Sequence, residues 1–297
     1  MRTLKESPRN MSAKEDFVPN FSLLDPQIEF AIAEDIGDGD HSALSCLSPA
    51  SRGKAKLLMK ESGIIAGIAL AKYIFQKIDP SVNFKADAKD GQWITAGSVV
   101  FTVEGNTIKL LQSERLVLNY MQRLSGVATK THHMAQRIAH TSCRLLDTRK
   151  TTPGLRVLEK WAVRLGGGHN HRMGLYDMVM LKDNHIDFAG GIGPAVAQVR
   201  QYLKEQQKEL AIEVETRNIQ EVHEALAAEV DRIMLDNFDI ATTKESVALI
   251  GGRCEVESSG VITEQTLISF VECGVDYISV GALTNHIKEL DMSLKAH

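Results

Sequence analysis

Four cations, Arg149, Lys150, Arg172 and Lys182, stand at or near the ends of short apolar runs in the segment from Leu145 to Ile186, LLDTRKTTPGLRVLEKWAVRLGGGHNHRMGLYDMVMLKDNHI. Arginine offers a planar fork for carboxylate or phosphate, and lysine a compact point charge, so the mixture suits recognition and neutralisation of a polyanionic small molecule. Farther along, Glu215 and Asp236 supply hard oxygen donors of the kind that hold a magnesium ion completed by waters and substrate phosphates. The turns Ser258-Ser259-Gly260 and Val280-Gly281-Ala282 expose backbone amides of the kind that hold phosphate. Together these residues fit a magnesium-bound diphosphate sugar and a second anionic reactant.

The elements that would position them repeat after Gly126. Short apolar strands are expected at Arg144 to Asp147, Met178 to Lys182, Ala211 to Glu215, Arg232 to Asp236, Cys254 to Glu257 and Tyr277 to Val280, each followed by a helix-like stretch. Glu215, Asp236 and Glu257 follow one another at intervals of 21 residues, about one strand plus one helix. Such spacing predicts parallel strands whose carboxyl ends share one rim. Residues 127–282 are too few for the ~250 of a complete eight-stranded barrel, so an incomplete parallel βα barrel is expected.

Residues 1–126 read as an N-terminal α+β sandwich domain, which makes the chain α/β overall. Strand-like runs at Ala55 to Lys60 and Val99 to Glu104 alternate there with helix-like Ile28 to Asp35 and Ile68 to Ile78. A helix over Glu114 to Leu124 is expected to link the two parts and to stop at Gly126. Residues 1–22 read as a tail, and 283–297 as a segment that packs back on the N-terminal domain.

Net charge −4 and a pI near 6.2 give no general attraction to nucleic acid, and no apolar run approaches the ~20 residues of a membrane-spanning helix. Glu6, Glu15 and Asp16 make the N-terminus unlike a transit peptide, and four cysteines without a CxxC pair suit a reducing compartment, so a cytoplasmic protein is expected. Gly166-Gly167-Gly168 lacks the following Lys-Ser/Thr of a phosphate loop and reads as a flexible turn. His169, His171 and His185 lack the spacing of a zinc site and read as hydrogen-bonding groups. Asp35, Asp38 and Asp40 lack the distal Glu of a calcium loop; Asp40 or Ser42 capping the next element accounts for that stretch.

The motifs LLDTRKTTPGLR, GGGHNHR, MLKDNH, IEVE, IMLDN, ESSG and ISVGALT, in this order, closely resemble those of the quinolinate phosphoribosyltransferase family. EDIGDGDHS, ESGIIAG and ERLVLNYMQRLSGVAT extend the resemblance to roughly residues 28–290; Ser42, Ser258 and Val261 depart from residues common in relatives. The resemblance implies transfer of phosphoribosyl from 5-phosphoribosyl 1-diphosphate to quinolinate, with loss of carbon dioxide and formation of nicotinate mononucleotide for NAD biosynthesis. It implies that Thr148, Arg149, His171, Arg172 and Lys182 hold quinolinate, with Arg115 reaching in from the neighbouring subunit of a homodimer or larger assembly. It further implies that Lys150, Glu215, Asp236, Ser259, Gly260 and Gly281 serve the phosphoribosyl diphosphate and its Mg2+. Lys150, Lys182, Glu215 and Asp236 are the expected catalytic groups, with Lys182 or His171 as candidate proton donor after decarboxylation.

Three other readings of the residues stay open at this point. A Schiff-base aldolase would use Lys182, a sister enzyme would take nicotinate, and a non-catalytic sensor would bind either substrate without turning it over.

Overall fold

Ala55, Leu57 and Met59 alternate with Lys54, Lys56 and Leu58, so one face of this stretch is buried and the other is not, the period of a half-buried strand. The computed structural model describes residues 18–260 and 262–297; residues 1–17 of the expected tail, and Val261, lie outside the described residues. In chain order the first part comprises α1 (Asp25–Ile36), α2 (His41–Cys46), β1 (Arg52–Met59), β2 (Gly63–Ile64), α3 (Ile68–Ile78), β3 (Asn83–Ala86), β4 (Trp93–Ile94), β5 (Val99–Asn106) and α4 (Thr107–Ile138). The second comprises β6 (Arg144–Leu146), α5 (Arg156–Leu165), β7 (Val179–Leu181), α6 (Asp183–Ala189), α7 (Ile192–Glu205), β8 (Ile212–Thr216), α8 (Ile219–Ala227), β9 (Arg232–Asp236), α9 (Ile240–Ile250), β10 (Glu255–Ser259), α10 (Leu267–Val271), β11 (Tyr277–Ser279) and β12 (Met292–Ala296).

The first part is built on an antiparallel sheet of order β12-β1-β5-β3, with helices against it. The chain's last strand pairs with β1, Leu294 opposite Leu57. Asp40 caps α2 by accepting from Ala43 N at 3.0 Å. Asp90 does more for α3, accepting from Gly67 N, Ile68 N and Ala69 N at 2.6, 2.9 and 3.0 Å, so three otherwise orphaned amides of one helix start share a carboxylate.

Helix α4 corrects one expectation. It runs for 32 residues, ~48 Å at 1.5 Å per residue, and Gly126 lies inside it rather than at its end. A Cβ at Gly126 would stand 2.5 Å from the Lys288 carbonyl oxygen and 2.8 Å from Ile287 Cγ2. The glycine admits a crossing chain segment against the helix. The triple glycine is likewise a packing device rather than a flexible turn: a Cβ on Gly166 would fall 2.3 Å from Ala128 O of α4, and one on Gly168 would fall 2.8 Å from Thr131 Cγ2.

The second part is a six-stranded parallel sheet of order β6-β11-β10-β9-β8-β7, with β6 and β7 as its unpaired edges. It is therefore a barrel left open on one side, where a single bridge joins Leu146 to His169. The barrel strands are less apolar than parallel strands usually are. Register sets Glu213 opposite Arg232 and Arg232 opposite Glu255, and the Arg232 guanidinium reaches Glu255 at 2.9 Å and Glu257 at 3.1 Å while lying over the Tyr277 ring. Among the described residues no helix is long and apolar enough to cross a membrane.

Candidate active site

The first rim segment leaves β6 as Asp147-Thr148-Arg149-Lys150. Thr148 Oγ1 accepts from Lys150 N at 3.0 Å, and Thr284 Oγ1 donates to Lys150 O at 2.9 Å, so the backbone that carries Lys150 is fixed although its side chain is exposed. Gly281 begins the turn after β11; a Cβ there would sit 3.3 Å from Lys150 Cδ and 3.9 Å from Thr148 Oγ1, which places these three residues together. The segment is also tied to α4. Arg123 donates to buried Glu159 at 2.8 Å, to Thr152 Oγ1 at 2.9 Å and to Thr284 O at 3.2 Å, while Glu159 accepts from Thr152 N at 3.1 Å.

The second rim segment, His169 to Arg172, runs beside the first. His169 N donates to Leu145 O, and Asp147 N to His169 O. Arg149 Nε is buried without a hydrogen-bond partner. Burial and the neighbouring Arg149 guanidinium together hold Arg172 below the ordinary arginine range. Two guanidiniums crowded in a half-buried place, one of them with an unused buried donor, form a site that an anion would relieve.

His171 is buried over two carboxylates of the barrel interior, its Nε2 lying 3.1 Å from Glu213 and 3.4 Å from Glu257. Burial opposes a charged ring, but the two carboxylates outweigh it and push His171 up to about 9. Burial and the charge of Glu257 push Glu213 up to about 7. The Arg172 N–H lies 2.7 Å from Nδ1 and favours a ring protonated at Nε2 only, so the cluster keeps its extra proton between ring and carboxylates as a unit. Nδ1 is thus engaged within the chain, whereas Nε2 lies within ion-pair distance of both carboxylates without an aligned hydrogen bond to either.

The remaining ends complete the rim. Lys182 Nζ pairs with Glu215 Oε2 at 2.5 Å, joining β7 to β8. Asp236 stands opposite Ser259 in register and accepts from Asn237 Nδ2 at 2.8 Å. Asn237 has φ +58°, a left-handed value uncommon outside glycine, and Gly260 has φ +115° with space for no Cβ, since Asn237 Oδ1 would lie 2.3 Å away. The structure therefore brings Asp236, Ser259 and Gly260 together, and Lys182 with Glu215. Arg115 is exposed on α4, and no hydrogen bond or ion pair joins it to these residues.

Glu215 and Asp236, each held through one carboxylate oxygen, fit a hard divalent ion that takes few protein ligands and keeps its waters. The tighter group of His171, Glu213 and Glu257, whose ligand atoms lie within 4.8 Å of one another, is the only such group among the described residues. Its carboxylates already serve a histidine and the Arg232 guanidinium, so it is an ion network. Glu213, Glu257, Asp147 and Lys160 are site residues that motif reading passed over. The signal available for them was charge inside otherwise apolar strand and helix patterns.

Family models described as the N-terminal and C-terminal domains of quinolinate phosphoribosyl transferase match residues 40–125 and 127–295. A probable nicotinate-nucleotide pyrophosphorylase [carboxylating] from Synechocystis sp. is 46% identical over 99% of this chain and 98% of its own. A quinolinate phosphoribosyltransferase [decarboxylating] from Nicotiana tabacum, named as mitochondrial, is 44% identical over 96% of this chain and 85% of its own. The crystal structure of NadC from Streptococcus pyogenes superposes with TM-score 0.90 at 37% identity, covering 95% of this chain and 99% of that one.

Proposed function

Because this chain belongs to the quinolinate phosphoribosyl transferase family, we infer that it transfers phosphoribosyl from 5-phosphoribosyl 1-diphosphate to quinolinate with loss of carbon dioxide. The products are nicotinate mononucleotide and diphosphate, a step of NAD biosynthesis. The observation within the site that carries this reading is the crowding of Arg149 and Arg172, with an unused buried donor on Arg149, which suits a planar dicarboxylate better than a monocarboxylate.

In this reading Thr148, Arg149, Arg172 and Lys182 hold quinolinate, with His171 at the base of the subsite and Arg115 supplied by a second subunit. Lys150, Ser259, Gly260 and Gly281 take the phosphoribosyl diphosphate. Glu215 and Asp236 would hold Mg2+, which when bound neutralises the departing diphosphate. Lys150 adds charge to the same leaving group, and the acidic pair stabilises positive charge developing on the ribose. No nucleophile from the protein is required. After ribosylation the ring nitrogen itself stabilises the carbanion left by decarboxylation, and a proton replaces the carboxylate at ring C2. Lys182, a paired residue at the rim, is favoured as the donor of that proton over His171, whose Nδ1 accepts from the backbone and whose Nε2 faces the buried carboxylates.

Purified protein incubated with quinolinate, phosphoribosyl diphosphate and magnesium should form nicotinate mononucleotide, and folded protein without turnover would overturn the assignment. Removal of magnesium by chelation should abolish that turnover. Product formed in heavy water without deuterium at C2 would exclude protonation there. The exposed position of Arg115 supports a shared site: mixing Arg115→Ala with Lys150→Ala should restore part of the activity each lacks, and no restoration would count against a homodimer built this way. The unpaired cysteines support residence in the reducing cytoplasm, which organellar targeting of a fluorescent fusion would contradict.

A further inference from the structure

We propose that the buried Asp147–Lys160 pair is a positioning device for the dicarboxylate subsite, holding the Arg149 segment against the Arg172 segment before substrate arrives. Both side chains are wholly inaccessible. A buried ion pair is commonly no more stabilising than apolar residues of the same volume, so stability alone gives no reason for this one between β6 and α5. Its bonds give another reason. Lys160 Nζ pairs with Asp147 and donates to His171 O at 3.0 Å. Asp147 Oδ1 accepts from His171 N at 2.9 Å, and Oδ2 from Asn170 Nδ2 at 2.6 Å. Asn170 Nδ2 also donates to Lys160 O at 2.8 Å.

The pair thus grips both the N–H and the C=O of His171, the residue directly before Arg172, from Asp147, two residues before Arg149. Backbone bonds join the two segments only as far as His169. Beyond that point side chains supply the connection: Arg156 spans the outer part, donating to Arg149 O at 3.4 Å and Met173 O at 3.2 Å, and the Asp147–Lys160 pair with Asn170 holds the peptide of His171 itself, beside two guanidiniums of like charge. Apolar replacements could fill the same volume but could not grip a peptide group. Lys160 and Asp147 touch no reacting atom; they act through the placement of Arg149 and Arg172.

The inference rests on the quinolinate reading, and the test separates the two. The double variant Asp147→Leu/Lys160→Met strands no charge and should remain folded by circular dichroism. Its Kd and KM for quinolinate should rise about tenfold or more, a loss of about 1.4 kcal/mol or above, while KM for phosphoribosyl diphosphate stays within about threefold. Amide exchange at His171 and Arg172 in the ligand-free protein should accelerate, with β8, β9 and β10 unchanged. Asn170→Ala, which removes one strut and leaves the ion pair, should weaken quinolinate binding by about threefold to tenfold and serves if the double variant does not fold. Wild-type quinolinate binding in a folded variant, or equal loss for both substrates, would overturn the positioning role. If the unaltered protein binds no quinolinate, the functional reading fails, and unaccelerated exchange at His171 then overturns the clamp by itself.

Discussion

Replacing Arg123 by Met should expose how strongly α4 holds the Lys150 segment. The guanidinium makes three hydrogen bonds, to Glu159, Thr152 Oγ1 and Thr284 O, and Glu159 is inaccessible to solvent. Methionine fills much of the arginine's volume but leaves a buried carboxylate with the Thr152 amide as its remaining donor. Removing one partner of such a pair costs about 3–5 kcal/mol, most of it the penalty of the stranded charge. For a chain of this length that corresponds to a fall in Tm of about 6–10 °C. Adding Glu159→Gln to the same protein removes the charge and should recover at least about 1.5 kcal/mol, a coupling well above the usual error of additivity. Urea and thermal unfolding of the two single variants and the double variant give the stability cycle. Steady-state kinetics should show a higher KM for phosphoribosyl diphosphate, because Thr152 and Thr284 fix the loop that carries Lys150. A single variant within about 1 kcal/mol of wild type, or a double variant no more stable than Arg123→Met, would refute the reasoning.

Gly166→Ala should cost about 1–3 kcal/mol by pushing α5 off the Ala128 carbonyl, whereas Gly193→Ala, with open space at its Cβ, should stay within about 0.5 kcal/mol; equal melting temperatures for the two would contradict close packing. Asp90→Ala removes the cap of α3 and should lower stability by about 1–2 kcal/mol with unchanged kinetic constants, which paired melts and assays will check. The cluster of His171, Glu213 and Glu257, faced by Arg232 and the Arg172 amide, keeps a proton in the folded protein up to about pH 9 that an unfolded histidine releases near 6.5. A folded-state value raised in this way contributes stability below pH 6.5 that is lost as pH rises to about 9, at most about 3 kcal/mol. Denaturant titrations across that window should therefore show falling stability in the unaltered protein and a flatter profile in His171→Gln; identical slopes would rule out the shared proton.

The amino-acid sequence by itself determined the six barrel strands, because parallel strands covered on both sides favour apolar residues at a regular spacing, and these strands keep enough of them to show it despite the charges of Glu213, Arg232 and Glu257. It also determined which rim residues carry charge, since Arg149, Lys150, Lys182, Glu215 and Asp236 all interrupt or terminate such runs. Local chemistry was legible too: Asp40 caps α2 as its position before an apolar stretch suggests. What local pattern could not supply was any property set by distant neighbours. Gly126 and Gly166 look like stops and turns in a linear chain, and only the approach of Lys288 and Ala128 makes them packing glycines. Glu213 alternates with Glu215 on one face of β8, yet one lies beneath His171 and the other pairs with Lys182, a division created by depth in the barrel. Asp147 and Lys160 read as one more strand-end acid and one more helix cation until the fold excludes water from both. The sequence specifies which groups can bear charge; the tertiary structure sets their solvation and their partners, and those decide what each charge does.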